Sequence, residues 1–256
     1  MTVSKIAEHN LERDREVLGK KWFSTYGGYF SDMENIQHFI DSVTPYLPDK
    51  ELEILYAASA SGLLGEELVK SLGRGNLTIV DVSEQHLSEN RNPKTTKICA
   101  DLLRLDLGKK FDLILMRSAL DYFPSKELQL QVLQNIRKHL KDDGLFINQP
   151  AYIHDHHERD VVSKIYTDTE KIGDRLFQSS DIAELYLNAG FSEPERIGDG
   201  KCLVVTNKEH AERYGLSEED VKNIQKMIGL GIGNQKVSKE GYALEFDFPI
   251  FLAKMV

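Results

Sequence analysis

The chain of 256 residues is short of cysteine, of basic charge and of long apolar runs, and each shortage narrows what it can be. Its two cysteines, Cys99 and Cys202, form no CxxC pair, which excludes a zinc ribbon. Both fall in apolar stretches, ICAD and KCLVV, and read as buried thiols of a reducing compartment. Lysine and arginine together number 32 against 41 acidic residues, a net charge of -9. A nucleic-acid partner needs a basic surface, so the balance argues against one. No apolar run approaches the ~20 residues of a membrane span. The N-terminal MTVSKIAEHNLERDREVLGKK has no apolar core and cannot be a signal peptide. A cytoplasmic protein is therefore expected, with no membrane and no nucleic-acid partner. Internal repeats and low-complexity tracts are lacking as well.

What is present suits an ordinary globular α/β chain, 41% hydrophobic and 29% charged. Residues 1–48 are expected to form an N-terminal helical cap. Ile6, Leu11, Val17 and Leu18 recur at loosely helical spacing, the aromatic and glycine-rich WFSTYGGYF follows at 22–30, and Asp32 can cap a helix over 32–46 that Pro45 and Pro48 close. From residue 51 the period changes. Short apolar runs at 51–58, 77–82, 95–101, 111–118 and 142–150 read as strands, and helical patterns at 62–72, 83–90, 125–140 and 179–189 alternate with them. KCLVVTN (201–207) and FDFPIFLAKM (246–255) complete seven strands. This pattern predicts a doubly wound, mostly parallel seven-stranded sheet with helices on both faces, spanning 49–256 as one domain. The last strand is expected to be antiparallel, with Pro249 at an edge or a bulge. The segment 207–245, with a helix over 217–228 and MIGLGIGNQ at 227–235, is expected as a substrate-cap insertion.

In such a sheet, ligands bind beyond the carboxyl ends of the strands, where the strand order reverses. The loop ILYAASASG after the first strand is the place to look. Ala58, Ser59, Ala60 and Gly62 are small enough for a ligand to approach closely, although tight helix packing demands small residues too. Asp81, followed by Val82, ends the second strand about 20 residues beyond the loop, where an acid can accept from ribose hydroxyls. It can equally cap the next helix together with Ser83. Asp101, followed by Leu102, can accept from an exocyclic amine or form an Asx turn.

At these residues the chain resembles a known family. The succession ILYAASASG, IVDVS, CADL, FDLILMRSALDYF, a helix, LKDDGLFINQ and YLNAGF is similar to the class I S-adenosylmethionine-dependent methyltransferases over roughly residues 50–206. The resemblance implies S-adenosylmethionine as cofactor. It implies the loop 56–62 under the cofactor's amino acid part, Asp81 and Val82 at the ribose, Asp101 and Leu102 near the adenine, and Arg117 and Ser118 beside the methionine. Ala58 and Ala60 replace two customary glycines, and Tyr56 stands where an acid is usual. Alanine does not readily adopt φ > 0, so binding is expected only if positions 58 and 60 have ordinary backbone conformations. Backbone carbonyls or Asp121 would have to take over from the missing acid.

Methyl transfer from a sulfonium needs positioning above all, and a base only where the acceptor loses a proton. His154 and His157, in YIHDHHERD after the fifth strand, are candidates for such a base, against a reading as a solvated loop. Three histidines within four residues do not converge easily on one ion, so no metal is expected. WFSTYGGYF is either a lid whose Tyr26 or Tyr29 reaches the cofactor carboxylate or an acceptor, or a core patch. Tyr122 and Phe123 are expected to pack the following helix. The leading expectation is methyl transfer to a small-molecule acceptor. The alternatives are a methyltransferase fold kept as a non-catalytic ligand- or partner-binding module, or another reaction on the same cofactor.

Overall fold

The computed structural model describes residues 4–13, 26–229, 236–238 and 241–256. Val17, Leu18, residues 22–25 and residues 230–235 lie outside the described residues. In chain order the elements are α1 (Lys5–Arg13), α2 (Met33–Val43), β1 (Glu53–Ala57), α3 (Leu63–Leu72), β2 (Asn76–Asp81), α4 (Glu84–Glu89), β3 (Thr96–Cys99), β4 (Phe111–Arg117), α5 (Lys126–Lys138) and β5 (Leu140–Gln149). There follow α6 (His156–Asp168), α7 (Ile182–Asn188), β6 (Glu195–Asp199), β7 (Leu203–Thr206), α8 (Asn207–Tyr214), α9 (Glu218–Gly229), β8 (Lys236–Ser238), β9 (Gly241–Phe246) and β10 (Pro249–Lys254).

Seven strands form one sheet in the order β3-β2-β1-β4-β5-β10-β6. The first five in chain order pair in parallel, and β10 runs antiparallel to both its neighbours. Helices on both faces explain the unbroken apolar strands: every residue of β4, FDLILMR, is buried. Successive side chains alternate between two cores. Leu55, Ala57, Val80, Ile114 and Met116 meet Val132, Leu133 and Ile136 of α5 and Tyr186 of α7. Ile54, Tyr56, Ile79, Leu113 and Leu115 meet Leu64 and Leu68 of α3 and Ile36, Phe39, Ile40 and Val43 of α2. Of the residues before 49, α2 thus belongs to the core under the sheet, with Asp32 accepting from the Glu34 N–H as its cap, whereas Ile6 of α1 packs on the opposite core.

Four sequence expectations are corrected. KCLVVTN is not a strand of the main sheet: β7 pairs with β9 in a separate three-stranded sheet, β7-β9-β8, and the edge strand is the polar ERIGD of β6. Burial alternates along β7, with Val204 44% exposed, because that small sheet is covered on one side only. Pro249 is not on an edge: β10 lies between β5 and β6, Pro249 opens it, and the pairing with β6 shifts register between Ile250 and Phe251. Cys202 is exposed and Cys99 half-buried, since β7 begins only at Leu203 and Cys202 precedes it. YIHDHHERD is not a loop throughout, because Asp155 accepts from the Glu158 N–H and starts α6 at His156.

Candidate functional site

The strand order reverses between β1 and β4, and register fixes what emerges there. Ala57 pairs with Val80 on one side and Met116 on the other, so Ala58, Asp81 and Arg117 leave the sheet level with one another. They line a cleft that encloses about 1100 Å³ counted out to its open mouth. Ser59, Ala60, Val82, Asp101, Leu102 and Ser118 share its wall. The sequence-predicted set is thereby brought together, apart from Gly62 and Tyr26, which stand elsewhere.

The loop after β1 fails the condition set for binding from the sequence, ordinary backbone conformations at positions 58 and 60. Ala58 and Ala60 have φ of 50° and 48°, in the left-handed region where glycine is at ease. Tertiary hydrogen bonds hold them there. Ser59 N donates to Val80 O at 3.0 Å, Ala60 N to Asp81 Oδ2 at 2.8 Å, Gly62 N to Ser59 O at 2.9 Å, and Asn90 Nδ2 to Ser61 O at 3.0 Å. The cleft stays open because a single methyl is small, and the strain is a cost of about 1–3 kcal/mol per residue that the surroundings over-determine. Ser118, at the end of β4, shares this conformation with φ 46°. Gly62 lies behind the wall with φ 80°; a Cβ there would meet Ile79 Cγ2 at 2.8 Å.

Asp81 takes the capping role read for it together with Ser83, on the wall of the cleft. Its Oδ1 accepts from Ser83 N at 2.9 Å, and Ser83 in turn caps α4 by accepting from His86 N. His86 also lines the cleft, its Nδ1 3.9 Å from Asp81 Oδ1. Asp101 accepts from Leu103 N at 3.0 Å, the Asx turn, and from Ser4 N at 2.8 Å, which ties α1 across the cleft beside Ile6 and Ala7.

Arg117 is 6% exposed. Its Nη1 donates to Phe30 O at 3.3 Å, and its guanidinium stands over the rings of Tyr29 and Phe30, 5.9 and 5.4 Å from their centres. Nε and Nη2 have no hydrogen-bond partner among the described residues. Burial lowers its pKa from the ordinary value, but a guanidinium remains charged. Such orphaned donors on a cleft wall fit a carboxylate. Tyr56 is buried beneath the loop, and burial pushes its phenol up to about 12, so it is neutral and carries no charge for an ammonium group.

The remaining candidates lie apart. Tyr26 lines a second, small cavity of about 40 Å³, which meets the cleft at Phe30, Ser118 and Tyr122. Asp121 faces that cavity too, buried and accepting from Arg175 Nη1 at 2.9 Å, and it does not replace the acid missing at position 56. His154 and His157 are exposed and line neither cavity. His154 Nε2 stands 3.2 Å from Asp247 Oδ2, and the Asp155 cap turns His157 onto the outer side of the first turn of α6. Sequence reasoning missed Phe30, His86, Arg175 and Arg213 on these walls. A signal existed for α8: Thr206 and Glu209 form a capping box, and His210, Arg213 and Tyr214 share a helix face. Nothing local marks Arg175.

A Rossmann-like sheet whose switch-point cleft is lined by two acids, Asp81 and Asp101, and a buried arginine suits a nucleotide-type ligand carrying a carboxylate. Residues 55–146 match the family described as methyltransferase domain. The fold is shared with YcgJ of Bacillus subtilis at TM-score 0.68 and 13% identity, covering 88% of this chain and 99% of that one. Magnesium protoporphyrin IX methyltransferase from Synechocystis PCC 6803, solved with bound S-adenosylmethionine, aligns at TM-score 0.59 and 14% identity over 100% of both chains. An S-adenosylmethionine-dependent methyltransferase from Clostridium acetobutylicum aligns at 0.51 and 16%, over 88% and 92%. No curated protein matches the chain in sequence. The chain thus has the fold of the class I S-adenosylmethionine-dependent methyltransferases, and its residues 55–146 match a methyltransferase-domain family. Among the described residues no helix is long and apolar enough to cross a membrane.

Proposed function

We propose that the cleft binds S-adenosylmethionine and that the protein transfers its methyl group to a small-molecule acceptor. The observation that carries this reading is Arg117, a buried cation with two nitrogens lacking a hydrogen-bond partner among the described residues, which ends β4 level with Asp81 at the end of β2, the two strands on either side of β1. When bound, the cofactor would supply an electrophilic methyl group, with S-adenosylhomocysteine as the product left behind. Arg117 holds the cofactor's carboxylate through Nε and Nη2. Asp81 on the cleft wall would accept from the ribose hydroxyls, and Asp101 and Leu102 would face the adenine. Ser118, held by its N–H on Gln149 O at 2.8 Å, and Phe30 stand at the passage to the second cavity, where the acceptor waits away from bulk water.

Calorimetric titration with S-adenosylhomocysteine tests the reading. Binding is expected, with Asp81→Ala weakening it by about 1–3 kcal/mol. No heat at millimolar ligand overturns the assignment and leaves the fold as a binding module for something else, the reading favoured by Tyr56 where an acid is usual.

A further inference from the structure

Charge is spread unevenly along the cleft. Its described carboxylates, Asp81 at the end of β2 and Asp101 beyond β3, lie to one side of β1, and Arg117 at the end of β4 lies to the other. Among the described residues Arg117 forms no ion pair. Nη1 is spent on Phe30 O, Nε and Nη2 have no hydrogen-bond partner, and the acid whose field reaches it is Asp32, half-exposed and paired with Lys201 at 3.1 Å. Tyr56 shares this end of the wall. It pairs with Leu115, two residues before Arg117, so both side chains leave the same face of the sheet. Burial pushes the Tyr56 phenol up to about 12, which keeps it neutral. The field of Asp81 reaches Tyr56, but the Asp81 oxygens accept from Ala60 N and Ser83 N. The loop carbonyls are engaged too. Ser59 O accepts from Gly62 N at 2.9 Å, Ala60 O from Ser59 Oγ at 3.3 Å and Ser61 O from Asn90 Nδ2 at 3.0 Å.

A carboxylate brought to Arg117 meets a planar fork of donors in a water-poor wall, where a charge-assisted hydrogen bond is strong. An ammonium group carried beside it meets a neutral phenol and the field of a buried cation, and neither replaces the water it gives up. Resting on the reading of the cleft as the cofactor site, we propose that its Arg117 end recognises the carboxylate alone. The cleft then takes adenosine thioethers that end in a carboxylate and bear no amine at least as tightly as S-adenosylhomocysteine. Tyr56 sets this specificity, because an acid in its place would give the ammonium group a partner of opposite charge.

Three thioethers that differ only at this end separate the two charges: S-adenosylhomocysteine, its deamino analogue and its decarboxy analogue. Each is titrated calorimetrically into the whole chain. The deamino analogue is expected to equal or exceed S-adenosylhomocysteine in affinity, and the decarboxy analogue to fall at least about tenfold below both. Tyr56→Glu supplies a charge for the ammonium group and is expected to put S-adenosylhomocysteine at least about tenfold ahead of the deamino analogue. The order in the native protein decides by itself if that variant fails to fold. Tighter binding of S-adenosylhomocysteine than of the deamino analogue by the native protein overturns the proposal. So does a decarboxy analogue within about tenfold of the others, or an unchanged order in a folded Tyr56→Glu variant. If S-adenosylhomocysteine binds and the deamino analogue does not, this specificity alone falls. If none of the three binds, the cofactor reading falls with it.

Discussion

At Ala60 a methyl group sits on a backbone better suited to hydrogen. Moving an L-residue out of the left-handed region is worth about 1–2 kcal/mol, and the added freedom of glycine in the unfolded chain takes back about 0.4–1 kcal/mol. Ala60→Gly is therefore expected to raise stability by roughly 0.5–1 kcal/mol in urea unfolding. Position 62 is the opposite case, with both a φ of 80° and Ile79 Cγ2 at 2.8 Å from any Cβ. Gly62→Ala combines backbone strain with overpacking and is expected to cost about 2–4 kcal/mol. Arg117 gives a third residue-level test. Arg117→Met removes a buried charge with orphaned donors, so the melting temperature should hold or rise while affinity for S-adenosylhomocysteine falls by about 1.5–3 kcal/mol. A loss of both would mean that Arg117 is structural. The sequence marked Asp81 and Asp101 because each follows the end of an apolar run, and Arg117 through the family resemblance. It misjudged 58 and 60, because φ there is fixed by Val80, Asp81 and Asn90, all far along the chain.

Among the elements, the end of the sheet away from the cleft is held by Asp112 at the start of β4. It accepts from Glu53 N of β1 at 2.9 Å, from Lys141 of β5 at 2.8 Å, and pairs with Lys50 at 2.9 Å. Burial raises its carboxyl, but Lys141, the Glu53 N–H and Lys50 outweigh it and leave the pKa at about 2. A carboxyl depressed on folding contributes stability that is full above its ordinary value of about 3.9 and is lost as pH falls through the folded value. Asp112→Asn is expected to cost roughly 1–2 kcal/mol at neutral pH and to flatten the acid limb of the stability profile between about pH 4 and pH 2. Helices and strands with a single period were legible from sequence, β1 to β5 and α5 above all. The polar edge strand β6 and the one-sided β7 were exchanged, because apolarity reports burial and not membership of a sheet.

The whole molecule joins a parallel sheet carrying the cleft to a smaller aromatic layer behind Phe30. That layer is a separate core of Tyr166, Phe177, Tyr214, Phe246 and Phe248, closed by α6, α8, α9 and the three-stranded sheet. A ligand that binds only the folded chain stabilises it by mass action. S-adenosylhomocysteine at a hundred times its dissociation constant is expected to add about 2.7 kcal/mol, a rise in melting temperature of roughly 5–10 °C for a chain of this size. A flat melting temperature across that titration would show that the folded cleft does not take the ligand. By itself the sequence determined the alternation of strands and helices, the antiparallel final strand and the acids and arginine that close the strands, because those features reside in neighbouring residues and their period. Only the tertiary structure decided the left-handed alanines, the burial of Arg117 without a full set of partners and the meeting of Arg175 with Arg213. Those depend on hydrogen bonds and packing between segments that no local pattern connects.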